Sequence, residues 1–163
     1  MHRVLGVDPG SHKTGWGIVD GEGSSMTHVA SGTISASGAG LAQRLVSIAD
    51  ALDRIVTTHC PTAVSVETVF YAKNAQSALK LGHARGVTLL CAARAGLEVF
   101  EYTAGQIKQA ATGRGRAEKT QVQTMVRLIL GLSTPLGLDT SDALAAAICH
   151  HQWVDHPALE ARL

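Results

Sequence analysis

Four acidic side chains stand where the sequence could turn a carboxylate to chemical use: Asp8, Glu67, Asp139 and Asp142. Asp8 closes a short apolar run, residues 3–7 (RVLGV), and precedes Pro9-Gly10. Its carboxylate therefore leaves the end of a strand where a backbone or a phosphate can come close. An aspartate that only opens a turn would read the same way. Glu67 lies within AVSVETVF, where alternation puts Ala63, Ser65 and Glu67 on one strand face and Val64, Val66 and Thr68 on the other. A carboxylate inside a sheet is costly unless it is paired or metal-bound; an edge strand would leave it in water. Asp139 and Asp142 are three residues apart at the start of an alanine-rich helix, hence stacked on one face. Acids there also complement the helix dipole. If the four converge, they form a set of hard oxygen donors suited to Mg²⁺ or Mn²⁺. Two such ions about 4 Å apart can activate a water and stabilise a leaving oxygen in phosphodiester hydrolysis.

The elements that would hold these residues read as one α/β domain. Residues 3–7, 14–20 and 26–34 are three strands joined by short turns, an antiparallel meander. Leu41, Leu45, Ile48, Leu52 and Ile55 mark an amphipathic helix ending near His59, before Pro61. Residues 63–69 form a fourth strand. Residues 74–96 form a long helix with Asn74 as its N-cap. Small residues on that helix, Ala75, Ala78, Gly82 and Gly86, share one stripe, and periodicity alone favours packing against the protein's own sheet. A fifth strand spans 97–102, a short helix 103–111, a mobile loop 113–116 (GRGR), a helix 117–130 and a last helix 140–153. The order βββαβαβαα gives a five-stranded mixed sheet flanked by helices. Residues 1–154 form a single domain and 155–163 a short C-terminal tail.

Net charge is only +1, but its distribution is uneven. Between Lys73 and Arg127 nine basic residues face three acids, a net +6, and the rest of the chain carries −5. A basic segment beside a carboxylate cluster suits a polyanion; solvated surface charge would give the same count. Cys60, Cys91 and Cys149 form no Cys-x-x-Cys pair, so zinc is not expected; Cys91 and Cys149 lie in apolar stretches and read as buried thiols. No apolar run is long enough for a signal peptide or a membrane span, which leaves the cytoplasm as the expected location.

The segments LGVDPGSHKTGWGIV, VETVFYAKNAQSALKLGHARG, VFEYTAGQIKQAATGRGRAEKTQVQTMV and LDTSDALAAAICH resemble, in order, those of the RuvC family of Holliday junction resolvases. The likeness covers roughly residues 3–151 and implies an RNase H-like fold. It also implies that Asp8, Glu67, Asp139 and Asp142 are catalytic acids holding Mg²⁺, two ions per site, with Mn²⁺ able to substitute. It further implies a homodimer, joined along the helix from Asn74, that cuts two opposed strands of a four-way DNA junction symmetrically. That reverses the intramolecular packing which periodicity favours for the small-residue stripe. Further implied partners are the RuvA and RuvB branch-migration proteins. Phe70, with Tyr71, is expected to stack on or wedge between bases at the strand exchange. Lys108 and Lys119 match lysines that matter in the family, and Lys73, Lys80, Arg85, Arg114 and Arg116 complete the expected DNA-binding set. The chain departs from the family pattern at Thr68, where glutamine is usual. His150 and His151 are expected at the surface or helix end rather than as ligands.

Two other readings compete. Asp8-Pro9-Gly10 with Thr14-Gly15 also resembles the first phosphate loop of actin-like ATPases, which need two such domains where this chain has room for one. A junction-binding clamp that does not cut is the non-enzymatic alternative, but four carboxylates beside a phosphate backbone repel it unless a cation intervenes.

Overall fold

Strand β1 (His2–Asp8) is apolar on both sides and buried from Val4 to Val7, the pattern of a strand covered by helices on both faces. It occupies the middle of a five-stranded sheet of order β3-β2-β1-β4-β5 in the computed structural model, which describes residues 2–22, 24–68 and 75–155. Strands β2 (Lys13–Glu22) and β3 (Ser25–Ser35) continue the expected antiparallel meander. Helix α1 (Leu41–His59) then returns the chain to β4 (Ala63–Glu67), which pairs parallel to β1. Helix α2 (Ala75–Arg94) leads to β5 (Glu98–Tyr102), parallel to β4. Helices α3 (Ala104–Thr112), α4 (Lys119–Ile129) and α5 (Leu138–Asp155) follow.

Alternation splits the sheet into two faces. Leu5, Val7, Ile18, Val64 and Val66 point to the side packed by α1 and α2, with Ile48, Leu52, Cys91 and Ala92. Val4, Val19 and Tyr102 point to the other side, where they meet α3, α4 and α5. Ser65 and Glu67 share that second face with Asp8, as their strand positions require. Glu67 is therefore on an inner strand and not at an edge.

Helix α5 is the hub. Its residues from Ala143 to His151 are all buried, as expected of a helix that is apolar on every side. Four glycines on the sheet make room for it. A Cβ on Gly6 would stand 1.9 Å from the Ala143 carbonyl oxygen, on Gly17 2.4 Å from Leu144, and on Gly21 2.3 Å from His151 Nδ1. A Cβ on Gly15 would likewise meet the Asp139 carbonyl. Alanines on one side and glycines on the other let the backbones approach closely.

Several boundaries and placements depart from the sequence reading. Helix α2 stops at Arg94, because Gly96 takes a left-handed conformation (φ 71°) and the Leu97 amide returns to the Ala92 carbonyl. Helix α4 starts at Lys119, two residues late, because Glu118 and Gln121 form a capping box ahead of it. Helix α5 starts at Leu138, two residues early, so both of its acids fall in the first turn and a half. The Ala75, Ala78, Gly82 and Gly86 stripe does not pack on the sheet: all four are exposed, and Ala84, Thr88, Cys91 and Ala92 face inward instead. His150 and His151 are buried rather than at the surface, 0% and 3% exposed, because α5 runs under the sheet along its whole length. Cys91 and Cys149 are buried thiols as expected, and Cys60 is exposed. The Asn74 cap lies outside the described residues.

Candidate active site

The parallel register that pairs Val7 with Val66 carries Asp8 and Glu67 to adjacent strand ends on one face of the sheet. The first turns of α5 deliver Asp139 and Asp142 to the same place, because Asp139 lies directly over Gly15, the partner of Asp8 in the β1–β2 ladder. The loop after Asp8 is tied down. Thr14, fully buried, donates from Oγ1 to the Gly10 carbonyl at 2.9 Å and accepts from the Gly10 amide at 3.2 Å. The Arg44 guanidinium adds a bond to the Ser11 carbonyl at 3.2 Å. Asp8 thus leaves the strand in a braced turn.

Electrostatics report the convergence. Burial first, then the charges of Asp142, Asp139 and Glu67, push the Asp8 carboxyl up to about 7, against the opposing pull of Lys119. Glu67 is raised by burial and then by Asp142, with Lys119 and Lys108 acting the other way. Only mutual proximity gives each acid those neighbours. Lys119 Nζ donates to Asp142 Oδ2 at 3.1 Å, and that bond, before any other cause, raises the lysine above its usual range. A cleft of about 170 Å³ opens between Glu67, Asp142, Lys108, Lys119, Ala104, Ile107 and Val122. Lys108 reaches it from α3, which is held by a reciprocal Thr103–Gln106 cap.

Among the described residues, no three of His, Cys, Asp and Glu already stand close enough to cage an ion. The donor set nevertheless fits a divalent cation. It consists of carboxylate oxygens, it carries more negative charge than Lys119 and Lys108 offset, and its charge raises the proton affinity of Asp8 and Glu67.

The remaining expected contacts distribute unevenly. Lys80 is exposed on α2, and Arg114 and Arg116 are exposed between α3 and α4. Thr112 Oγ1 closes that loop, bonding the Arg114 amide at 3.1 Å. Arg85 lies against the protein instead, in an ion pair with Glu101 at 2.5 Å that links α2 to β5. Phe70, Tyr71 and Lys73 lie outside the described residues. Thr68 gives its amide to the Tyr102 carbonyl at 2.8 Å, while its buried hydroxyl has no partner among the described residues. Sequence reasoning missed the seat of α5, Gly6, Gly15 and Gly17. Glycines at alternate positions of a strand, as in TGWG, were the available signal.

Among the described residues no helix is long and apolar enough to cross a membrane. The family model for crossover junction endodeoxyribonuclease RuvC matches residues 4–150. The crossover junction endodeoxyribonuclease RuvC of Syntrophotalea carbinolica is 52% identical over 149 residues, 91% of this chain and 92% of that one. The Alkalilimnicola ehrlichii protein of the same description is 48% identical over all 163 residues, covering 97% of its own length. Among solved structures, Thermus thermophilus RuvC in complex with a Holliday junction substrate superposes with a TM-score of 0.91. That match has 32% identity and covers 96% of this chain and 97% of the other.

Proposed function

The chain belongs to the RuvC family of crossover junction endodeoxyribonucleases, and we propose that it cuts at the cleft lined by Glu67 and Asp142, beside Asp8 and Asp139. The protein is a Holliday junction resolvase, a structure-selective endodeoxyribonuclease with the RNase H-like fold. One observation supports the site above others: Asp8 and Glu67, at neighbouring ends of parallel strands, feel the charge of Asp142 from the first turns of α5.

A divalent-metal requirement goes with the family. Asp8, Glu67, Asp139 and Asp142 would hold Mg²⁺, two ions per site, with Mn²⁺ able to substitute. Bound there, the metal supplies charge neutralisation at the phosphate and a more acidic water. The chain's own groups do the rest. Lys119 and Lys108 line the cleft and offset the charge of the scissile phosphate and its transition state. Glu67, which lines the cleft, is placed to receive a proton from the attacking water. In-line attack on phosphorus then leaves 3′-hydroxyl and 5′-phosphate ends.

Arg114, Arg116 and Lys80 would contact phosphates, and Phe70, Tyr71 and Lys73 would meet the bases and backbone near the crossover. The exposed stripe of α2, flanked by Leu79 and Leu90 at 64% and 56% exposure, would join two copies. Two sites related by a two-fold axis match a junction of the same symmetry. The enzyme would act in the cytoplasm as a single-domain protomer, residues 1–154 with a short tail, alongside RuvA and RuvB.

An end-labelled synthetic four-way junction incubated with the protein and Mg²⁺ tests this. Paired nicks at symmetric positions, absent with EDTA, are expected. Tight binding without nicks would instead make the protein a clamp.

A further inference from the structure

Beside the acids, helix α5 approaches the sheet mainly by backbone against glycine, Ala143 over Gly6 and Asp139 over Gly15, while Leu144 and His151 seat over Gly17 and Gly21 farther along. Apolar contact of that kind is non-directional, so it fixes how close the helix lies better than how it slides or rotates. Yet two of the four acids ride on α5 and two on the strands. Directional bonds must set their mutual position: at the far end of α5 His151 bonds the Val19 carbonyl at 3.0 Å and His150 the Tyr102 hydroxyl at 2.9 Å, and nearer the acids two hydroxyls do so.

Ser65 Oγ donates to the Ala146 carbonyl at 2.7 Å, and both residues are buried. Ser65 is two residues before Glu67 on the same strand face, and Ala146 is one helical turn after Asp142. The bond therefore lies one step behind the Glu67–Asp142 approach and in line with it. On the other flank, Thr33 Oγ1 and Thr140 Oγ1 are 3.1 Å apart. Thr33 is the β3 partner of Gly15, and Thr140 follows Asp139. This second bond reaches over the glycine on which Asp139 sits.

We propose that the hydroxyls of Ser65 and Thr33 are positioning residues that set the α5 acids against the strand acids, and so tune affinity for the divalent cation. The inference rests on the metal reading given above. Hydrogen bonds have a preferred length and angle, which a smooth alanine surface lacks. Loss of either pin leaves the ligands present but their spacing loose.

The test is calorimetric titration of Mn²⁺ alone into the full, DNA-free chain, paired with thermal melting. Thr33 is exposed, so Thr33→Val removes the hydroxyl at little cost to folding. It should weaken Mn²⁺ binding about tenfold, the scale seen when groups behind a ligand are removed, with melting nearly unchanged. Thr33→Ser should restore the affinity. Ser65→Ala should weaken Mn²⁺ to a similar degree beyond whatever it does to melting. The Mg²⁺ concentration giving half-maximal junction cleavage should rise in parallel. Unchanged Mn²⁺ affinity in Thr33→Val and in folded Ser65→Ala would overturn the proposal and leave both hydroxyls purely structural. If the unaltered chain shows no Mn²⁺ uptake that Asp8→Asn suppresses, the metal reading itself falls, and this inference with it.

Discussion

Gly15 lies under Asp139: a methyl group on its α-carbon would come 1.9 Å from the Asp139 carbonyl oxygen. That oxygen belongs to helix backbone and cannot swing aside. Gly15→Ala should therefore lift the first turn of α5 from the sheet, costing roughly 1–3 kcal/mol of stability. Cleavage should fall much further than stability, because Asp139 and Asp142 move with that turn. Melting and single-turnover cleavage of the same preparation check this; a variant that melts early but cuts normally would show that the helix can shift without disturbing the acids.

Asp8→Asn should abolish cleavage, by roughly 10³-fold or more, while junction binding is kept or strengthened. The change removes a ligand and a negative charge together, and the charge repels phosphate. It should also stabilise the metal-free protein above neutrality. The Asp8 carboxyl is pushed up to about 7 in the fold, so its stabilising share is complete at low pH and is lost as pH rises toward that value. Gel-shift, nicking and melting assays at pH 8 with EDTA read all three effects. Near-normal nicking would remove Asp8 from the site.

Acid should weaken the fold through His150. Its Nδ1 is 2.9 Å from the Tyr102 hydroxyl, Phe100 lies against its ring at 4.2 Å, and His2 and His151 flank it. Burial, then those two histidines, bring it down to about 4. The unfolded chain thus binds the proton first. Stability is full above about pH 6.5 and declines as pH falls toward 4, by at most about 1.4 kcal/mol per unit from this residue. His150→Gln should flatten that decline. Parallel melting profiles for the two proteins between pH 4 and 7 would absolve His150.

Cys60 ends α1 in a left-handed conformation, φ 48° and ψ 55°, which an L side chain adopts at a cost. Cys60→Gly should raise stability by up to about 1 kcal/mol and leave cleavage untouched. A denaturant titration measures it, and a lower midpoint would mean that the thiol's contact with the Thr57 carbonyl outweighs the strain.

The strands were legible because each left a local mark, and the four acids drew notice as candidates for the same reason. Alternation placed Ser65 and Glu67 on one face, and Asp8 stood at the end of an apolar run. Helix boundaries were less legible, since α4 and α5 begin where caps and packing decide and not where apolar periodicity does. The buried histidines were misread for a related reason. Polarity suggested surface, but the path of α5 beneath the sheet is a tertiary fact that depends on glycines such as Gly21, 130 residues from His151 along the chain. Arg85 carries a partner that charge alone did not show, Glu101 on β5.

The chain order of the site carries one more implication. In chain order Asp8 precedes Asp139 by 131 residues and Asp142 by 134. A nascent chain can lay down β1, β2 and β3 long before α5 emerges to cover them. Until then the proposed centre would have only two of its four acids, so the nuclease would stay unarmed toward DNA until α5 is made. A truncation that spares the first 137 residues would be expected to leave an inert sheet rather than a weakened nuclease.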